Sequence, residues 1–408
     1  MNFFMFYFFT LIYIFNFFKC YNNPLKIPLQ KFKKTNFYEN NIYININIGT
    51  PSQKIPLKIS ISSNPTFITN YSFNQKKSST YYNKSNIKYI FKENIDKAIE
   101  SNDIFRFGKN IFSKVDFYLT NNTNYSILGL GRKIYDAISG GKWDDWNNEY
   151  NDISDFLTGL KNYKIINKKT FSFKFNKNNF VQIIFGLEYN EMDTNLIIFK
   201  DYYRNIMDST WDLKFDNILI GKKNIKNDLS ATLDIQLNTI IANKNIKSIF
   251  FKNFFEKYIQ KGFCYEVIIE KNIIDKFSYS YFYCNNDYRI KIKELNDINF
   301  YIKNINLNFT FTFLDLFEIF DNKLYFLILF RNDNNSLPWI FGIPFFKKYE
   351  IIFNLEKEEI VLYKNNQKKL SFLNIIILFF LIIFIIIFQY LKLKKNKFKE
   401  NQIEMVLI

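Results

Sequence analysis

The chain contains no histidine among its 408 residues. That removes histidine general bases, Ser–His and Cys–His nucleophile pairs and every histidine-ligated metal site. Three cysteines cannot build a cysteine-only zinc site, and Cys20 lies at the edge of an N-terminal apolar segment. The side chains left for chemistry are carboxylates, hydroxyls and lysines, and neither a metal nor a cofactor is expected. A serine nucleophile would need a lysine as its base, and the spacing places none evidently beside a serine.

The charge is the next constraint. Lys and Arg number 55 against 38 Asp and Glu, a formal net charge of +17. Lys is spread along the chain, with no basic stripe and no nucleic-acid motif. This is a solvated basic surface, and no nucleic-acid partner is expected. A hydrophobic fraction of 48% is too high for a disordered chain. It suits one large two-lobed domain or two ordinary ones.

Two segments read as lying outside the fold. Asn2 to Phe18 is apolar and N-terminal, like the core of a secretory signal, so residues 1–20 are expected to be a signal peptide. An uncleaved signal anchor is the alternative. Residues 371–391 carry no charge and reach the roughly 20 residues that cross a hydrocarbon core. Five lysines follow, from Lys392 to Lys399, against Lys368 and Lys369 before. That asymmetry predicts a cytoplasmic tail over 392–408. The expectation is a single-pass type I membrane protein of the secretory pathway or cell surface. Its bulk would be lumenal or extracellular, where disulfides are permitted.

The body between them reads as β-rich. Ile42 to Ile48 (IYININI) alternates, and Gly49-Thr50-Pro51 breaks it. Ile55 to Ile61, Phe171 to Phe175, Val181 to Phe185, Phe215 to Ile220 and Ile351 to Phe353 are further strand candidates. The clearest helical pattern is Asn245 to Gln260, with another near Ile153 to Leu160. Many short strands and few helices predict a mainly β fold of the sandwich or barrel class.

Several motifs then fall in a specific order. IGTPSQ (Ile48 to Gln53) sits between two strands, and KSSTY (Lys77 to Tyr81) follows. ILGLG (Ile127 to Gly131) and WDLKFDNILIG (Trp211 to Gly221) come next, and WIFGIPFFKKY (Trp339 to Tyr349) is last. This order resembles the pepsin-like aspartic peptidases over roughly residues 40 to 363. The resemblance implies a bilobal acid-protease fold with an interlobe cleft. The N-terminal lobe would span 21–195 and the C-terminal lobe 196–367. Each lobe of an active member supplies one Asp on an Asp-Thr/Ser-Gly turn, and a hairpin flap covers the cleft.

That chemistry needs two carboxylates within hydrogen-bonding distance. Both cannot ionise together, so they share a proton. One activates water while the other polarises the scissile carbonyl. Counting from IGTPSQ, the first Asp position falls on Ser60, in Ser60-Ile61-Ser62. The second falls on Asp234, in Asp234-Ile235-Gln236. A hydroxyl cannot share the proton. In the family the two turns' Thr hydroxyls bond across the lobe junction; here Ile61 and Ile235 would meet. The flap Tyr falls on Phe91, ahead of Lys92-Glu93-Asn94. Phe91, Ile61 and Ile235 are therefore the expected ligand-contacting residues. A lone Asp234 with ordinary titration, and a Ser60 hydroxyl bonded to its own turn, are the plain structural expectations.

The resemblance also places Cys284 at one half of a C-lobe disulfide. The usual partner position, near Tyr325, carries no Cys, so Cys264 is the available partner and free thiols are the alternative. Gly140 to Glu149 reads as an insertion carrying Trp143 and Trp146, either a partner-binding loop or a lid on the N-lobe. The functional expectation is a membrane-anchored homologue without peptidase activity, binding an extended peptide or a protein in its cleft. Two alternatives stay open. One is an active aspartic endopeptidase using Asp234 and a second carboxylate from elsewhere. The other is a structural or adhesion ectodomain with a filled cleft.

Overall fold

The structure, a computed structural model, describes residues 24–31, 36–91, 94–121, 125–132, 155–176, 181–200, 210–270, 277–287, 289–332 and 338–363. The expected signal peptide, the 371–391 segment, the tail and the Trp143/Trp146 insertion lie outside these residues. Among the described residues no helix is long and apolar enough to cross a membrane.

Strands dominate, in three sheets. An eight-stranded sheet uses residues 30–129, and an eleven-stranded sheet uses 212–341. These are the sheets of two lobes. A third, six-stranded sheet draws on both halves of the chain, in the order Leu25–Pro28, Val181–Phe185, Thr170–Phe175, Ile351–Asn354, Glu359–Tyr363, Leu196–Lys200. Its centre is the antiparallel pairing of Phe171 with Phe353, whose rings stack at 4.6 Å. Both lobes are thus built onto one shared platform.

The alternating residues explain the first lobe directly. In Ile42–Ile48 the four isoleucines are at most 1% exposed, while Tyr43, Asn45 and Asn47 face outward. A period of two buries one face of a strand. The partner Gln53–Ser60 buries Ile55, Leu57 and Ile59 in the same way. Lys58 and Ser60 therefore stand together on its opposite, half-exposed face.

The turn between these strands is tied to KSSTY through Thr50, and a buried carboxylate holds the KSSTY hydroxyls in place. Asp103 accepts from Ser78 Oγ at 2.7 Å and from Thr80 Oγ1 at 2.5 Å. Ser78 Oγ in turn accepts from the Thr50 N–H. The long hairpin Tyr82–Phe91 and Asn94–Arg106 follows, pairing Phe91 with Asn94 at its tip. This is the position expected of a flap. The Phe91 side chain and Asp96 beyond it lie outside what the structure describes of side chains.

The expected helix over 245–260 is present as Lys244–Phe250, Phe251–Phe255 and Glu256–Ile259 in continuous succession, the middle turn a π-turn. It buries Ile246, Ile249, Phe250, Phe254, Phe255 and Tyr258. Phe255 stacks on Phe282 at 4.2 Å, fastening the helix to the second-lobe sheet. The second helical pattern appears as Phe156–Asn162, capped by Asp155.

Cys264 and Cys284 are disulfide-bonded. They face each other in the antiparallel pair Cys264–Ile269 and Tyr279–Asn285, and both are buried. Leu324 stands beside Cys284 on the other flank, near where the family's partner cysteine was sought. Cross-linking positions 20 residues apart restricts the unfolded chain by about 3 kcal/mol. Replacing both cysteines with alanine should lower unfolding free energy by about that amount. Urea denaturation reads it, and an unchanged midpoint with unchanged slope would show that the bond adds nothing.

Candidate functional site

Two loops with the same internal construction form the site. In the first lobe, Gln53–Ser60 runs parallel to Ser126–Gly129, with Ser60 beside Gly129. In the second, Lys223–Leu233 runs parallel to Trp339–Phe341, with Leu233 beside Phe341. One step on, the Asp234 N–H donates to the Phe341 carbonyl, next to Gly342, at 3.0 Å. The chain after each strand crosses close to its glycine. A Cβ on Gly129 would lie 2.3 Å from the Pro65 carbonyl oxygen and 2.5 Å from that of Asn64. On Gly342 it would lie 2.2 Å from Thr239 O and 2.3 Å from Leu237 O. Only a residue without a side chain fits either crossing, which is why both apolar runs end on Gly.

The turns match residue for residue. The Ser62 N–H donates to Ser60 Oγ at 3.3 Å, and the Gln236 N–H donates to Asp234 Oδ1 at 2.9 Å. Ile61 and Ile235 are 1% and 0% exposed, within one apolar cluster. Ser60 therefore occupies, by construction, the place in the first lobe that Asp234 occupies in the second. Ser60 Oγ also lies 3.3 Å from Ser62 Oγ. Its hydroxyl is engaged within its own turn, as expected of a structural serine.

Two sequence expectations need correction here. Ile61 and Ile235 do not line a ligand surface: their branched apolar side chains gain by burial, and nothing of them is left to touch a ligand. Asp234 does not titrate ordinarily. Burial pushes its carboxyl above the usual aspartate value, opposed by the Gln236 N–H and by the positive charge of Lys58. The side chain keeps partial solvent contact while sitting deep enough for desolvation to dominate. Among the described residues, none of the groups acting on it is a carboxylate.

The main feature the sequence did not reveal is Gln236. Where the family has glycine, its amide reaches across the junction. Nε2 donates to the Ile59 carbonyl and, at 3.1 Å, to that of Ile42, while Oε1 accepts from the Ile42 N–H at 3.3 Å. The surrounding backbone continues the seam. Asn40 N–H donates to Gln236 O and Asn238 N–H to Tyr38 O, both at 2.8 Å. Asn40 Nδ2 donates to Ile235 O, and Asn238 Nδ2 to Phe37 O. The second turn is thus laced to strands of the first lobe by an amide and two asparagines. Tyr81, Asp103 and Asp216 have partners elsewhere: Ser101, the Ser78/Thr80 pair, and the Lys303 N–H.

Beside the second turn lies a pocket lined by Asn238, Leu314, Phe317, Glu318, Ile343 and Lys347, among others. Leu314 is 74% exposed at its rim. Among the described residues no group of three or more Cys, Asp or Glu is arranged to hold a metal ion.

A bilobal β fold with paired, glycine-closed turns defines the class of the pepsin-like acid proteases. A model of the eukaryotic aspartyl protease family matches residues 41–364, and the chain belongs to that family. The comparison with curated proteins finds no match.

Two outcomes test this geometry. Gln236→Ala strands the Ile42 and Ile59 backbone groups and should cost about 3 kcal/mol in unfolding free energy. Gln236→Glu should cost at least as much, because a carboxylate cannot donate to carbonyls. A Gln236→Ala protein as stable as the parent would remove the amide tie from the account. For Asp234, the folded-state value lies above the unfolded 3.8. Below 3.8 both states hold the proton. As pH climbs from there through the raised folded value, the unfolded chain releases its proton first, so stability falls. Asp234→Asn keeps an acceptor for the Gln236 N–H and loses the charge. It should be more stable than the parent at neutral pH and no different in strong acid. Equal stability at neutral pH would contradict the raised value.

Proposed function

We propose that this aspartyl-protease-family protein is a membrane-anchored, catalytically silent homologue that holds extended peptides between its lobes. The observation that carries the reading is the equivalence of the two turns. Ser60 stands where the first carboxylate belongs, and among the described residues the charged neighbour acting on Asp234 is the cation Lys58. Peptide hydrolysis by this family's chemistry needs one carboxyl ionised and its neighbour protonated. A hydroxyl ionises far outside that range and cannot take a turn as base. The single proton of Asp234 can polarise a carbonyl but leaves water unactivated.

What the lobes retain suits binding. The hairpin ending at Phe91 is kept. A pocket with an exposed apolar rim at Leu314 lies beside the second turn. Extended peptides bind such clefts through backbone hydrogen bonds, with side-chain pockets for specificity. The 371–391 segment would tether the lobes to a membrane, leaving 392–408 on the cytoplasmic side.

Incubating the full-length protein with a diverse peptide mixture from acid to neutral pH, and reading products by mass spectrometry, checks the loss of catalysis. The expected result is no cleavage beyond that of an Asp234→Ala control. Cleavage that Asp234→Ala abolishes would establish an active peptidase with a second carboxylate and overturn the proposal.

A further inference from the structure

Lys58 is the residue the proposed function has not used. It shares the half-exposed face of its strand with Ser60, two residues on, about 7 Å along a β-strand. The corresponding position before Asp234 is Thr232, so the cation has no counterpart in the second lobe. Next to Lys58 in the parallel ladder lies Ile127, which packs on Phe67, Ala98 and Tyr118. Ala98 belongs to the flap hairpin. The Lys58 ammonium lies 4.7 Å from the ring centre of Tyr125, itself 51% exposed. Among the described residues no carboxylate comes within ion-pair distance of Lys58. A cation held by an aromatic face rather than a counter-ion keeps its capacity for an anion.

These groups lie along two neighbouring strands and the residue that leads into one of them. Ile127 and its neighbours form an apolar wall, Tyr125 a flat side, Ser60 a hydroxyl donor, and Lys58 a positive head. Burial holds Asp234, whose carboxyl feels that same lysine, toward its neutral form. The positive charge of the subsite comes from Lys58, whose ammonium rests on the Tyr125 ring. In a two-carboxylate site the same place would be negative and would repel an acidic ligand.

Resting on the peptide-binding reading above, we propose that the subsite formed by Lys58, Ser60, Tyr125 and Ile127 selects peptides carrying a carboxylate. The ligand carboxylate takes the place left by the missing first Asp. It accepts from the Lys58 ammonium and the Ser60 hydroxyl, and the stem that carries it lies on Ile127. Charge-assisted bonds of this kind outweigh neutral ones. Two sources supply the same chemistry: an Asp or Glu side chain, or a free peptide C-terminus.

The test uses an array of short extended peptides and the full-length protein. Each sequence is made in four versions: Glu or Gln at one internal position, with a free-acid or amidated C-terminus. Binding to at least one acidic version should exceed that to its neutral isostere by about tenfold. Glu-over-Gln discrimination identifies a side chain, and acid-over-amide discrimination identifies a C-terminus. Lys58→Met keeps the stem's packing and should abolish the discrimination. Ser60→Ala should reduce it in part. Equal binding of acidic and neutral versions, or discrimination that survives Lys58→Met, would overturn the inference and leave peptide binding standing. Silence of the whole array, from protein that unfolds cooperatively, would overturn both.

Discussion

The junction between the lobes is held by an amide where the family holds it with threonines. Gln236 donates to two first-lobe carbonyls and accepts from an N–H, so one side chain satisfies three backbone groups of the other lobe. Most of the site follows from that substitution. With Gln236 spanning the seam, the residue before it needs no hydroxyl. Ile61 and Ile235 can sink into the core and contribute apolar burial instead. The turn geometry survives because its requirements lie elsewhere: in the glycines at 129 and 342, where carbonyls pass too close for any side chain, and in the parallel strand pairs that launch each loop.

A fold of this kind must keep its lobes in register to keep anything between them, and it does so with amides, asparagines and a shared six-stranded sheet. Nothing in that scaffold depends on a carboxylate at position 60. With Ser60 there, Asp234 feels no carboxylate among the described residues. It becomes a carboxyl whose titration reports burial rather than a dyad. Lys58 then sets the sign of the local charge.

The legible parts of the fold were those with local causes. The isoleucines of Ile42–Ile48 announce a strand by their period, and the structure ends that strand where the sequence did. IGTPSQ and KSSTY read as separate motifs, but Thr50 of the first bonds to Ser78 and Ser79 of the second. Gln236 was visible as a departure but not as a tie. Its partners are backbone groups 177 and 194 residues away, and no side-chain pattern encodes a backbone acceptor. The depth of Ile61 and Ile235 was hidden for a related reason: a turn residue looks exposed until the opposite lobe covers it. The raised carboxyl of Asp234 follows from the same packing. The π-turn at Phe251–Phe255 left no mark on a periodicity read at 3.6 residues per turn.

The central claim is that one carboxyl, not two, occupies the site. The most direct measurement is a carboxyl-carbon NMR titration of the full-length protein, with Asp234 assigned from an Asp234→Asn sample. The account predicts a single one-proton step, with a midpoint above that of an ordinary aspartate and unchanged in form by Ser60→Ala. A two-step curve with two apparent values would mean that a second carboxyl shares the proton. That result would contradict the account and return the site to catalysis.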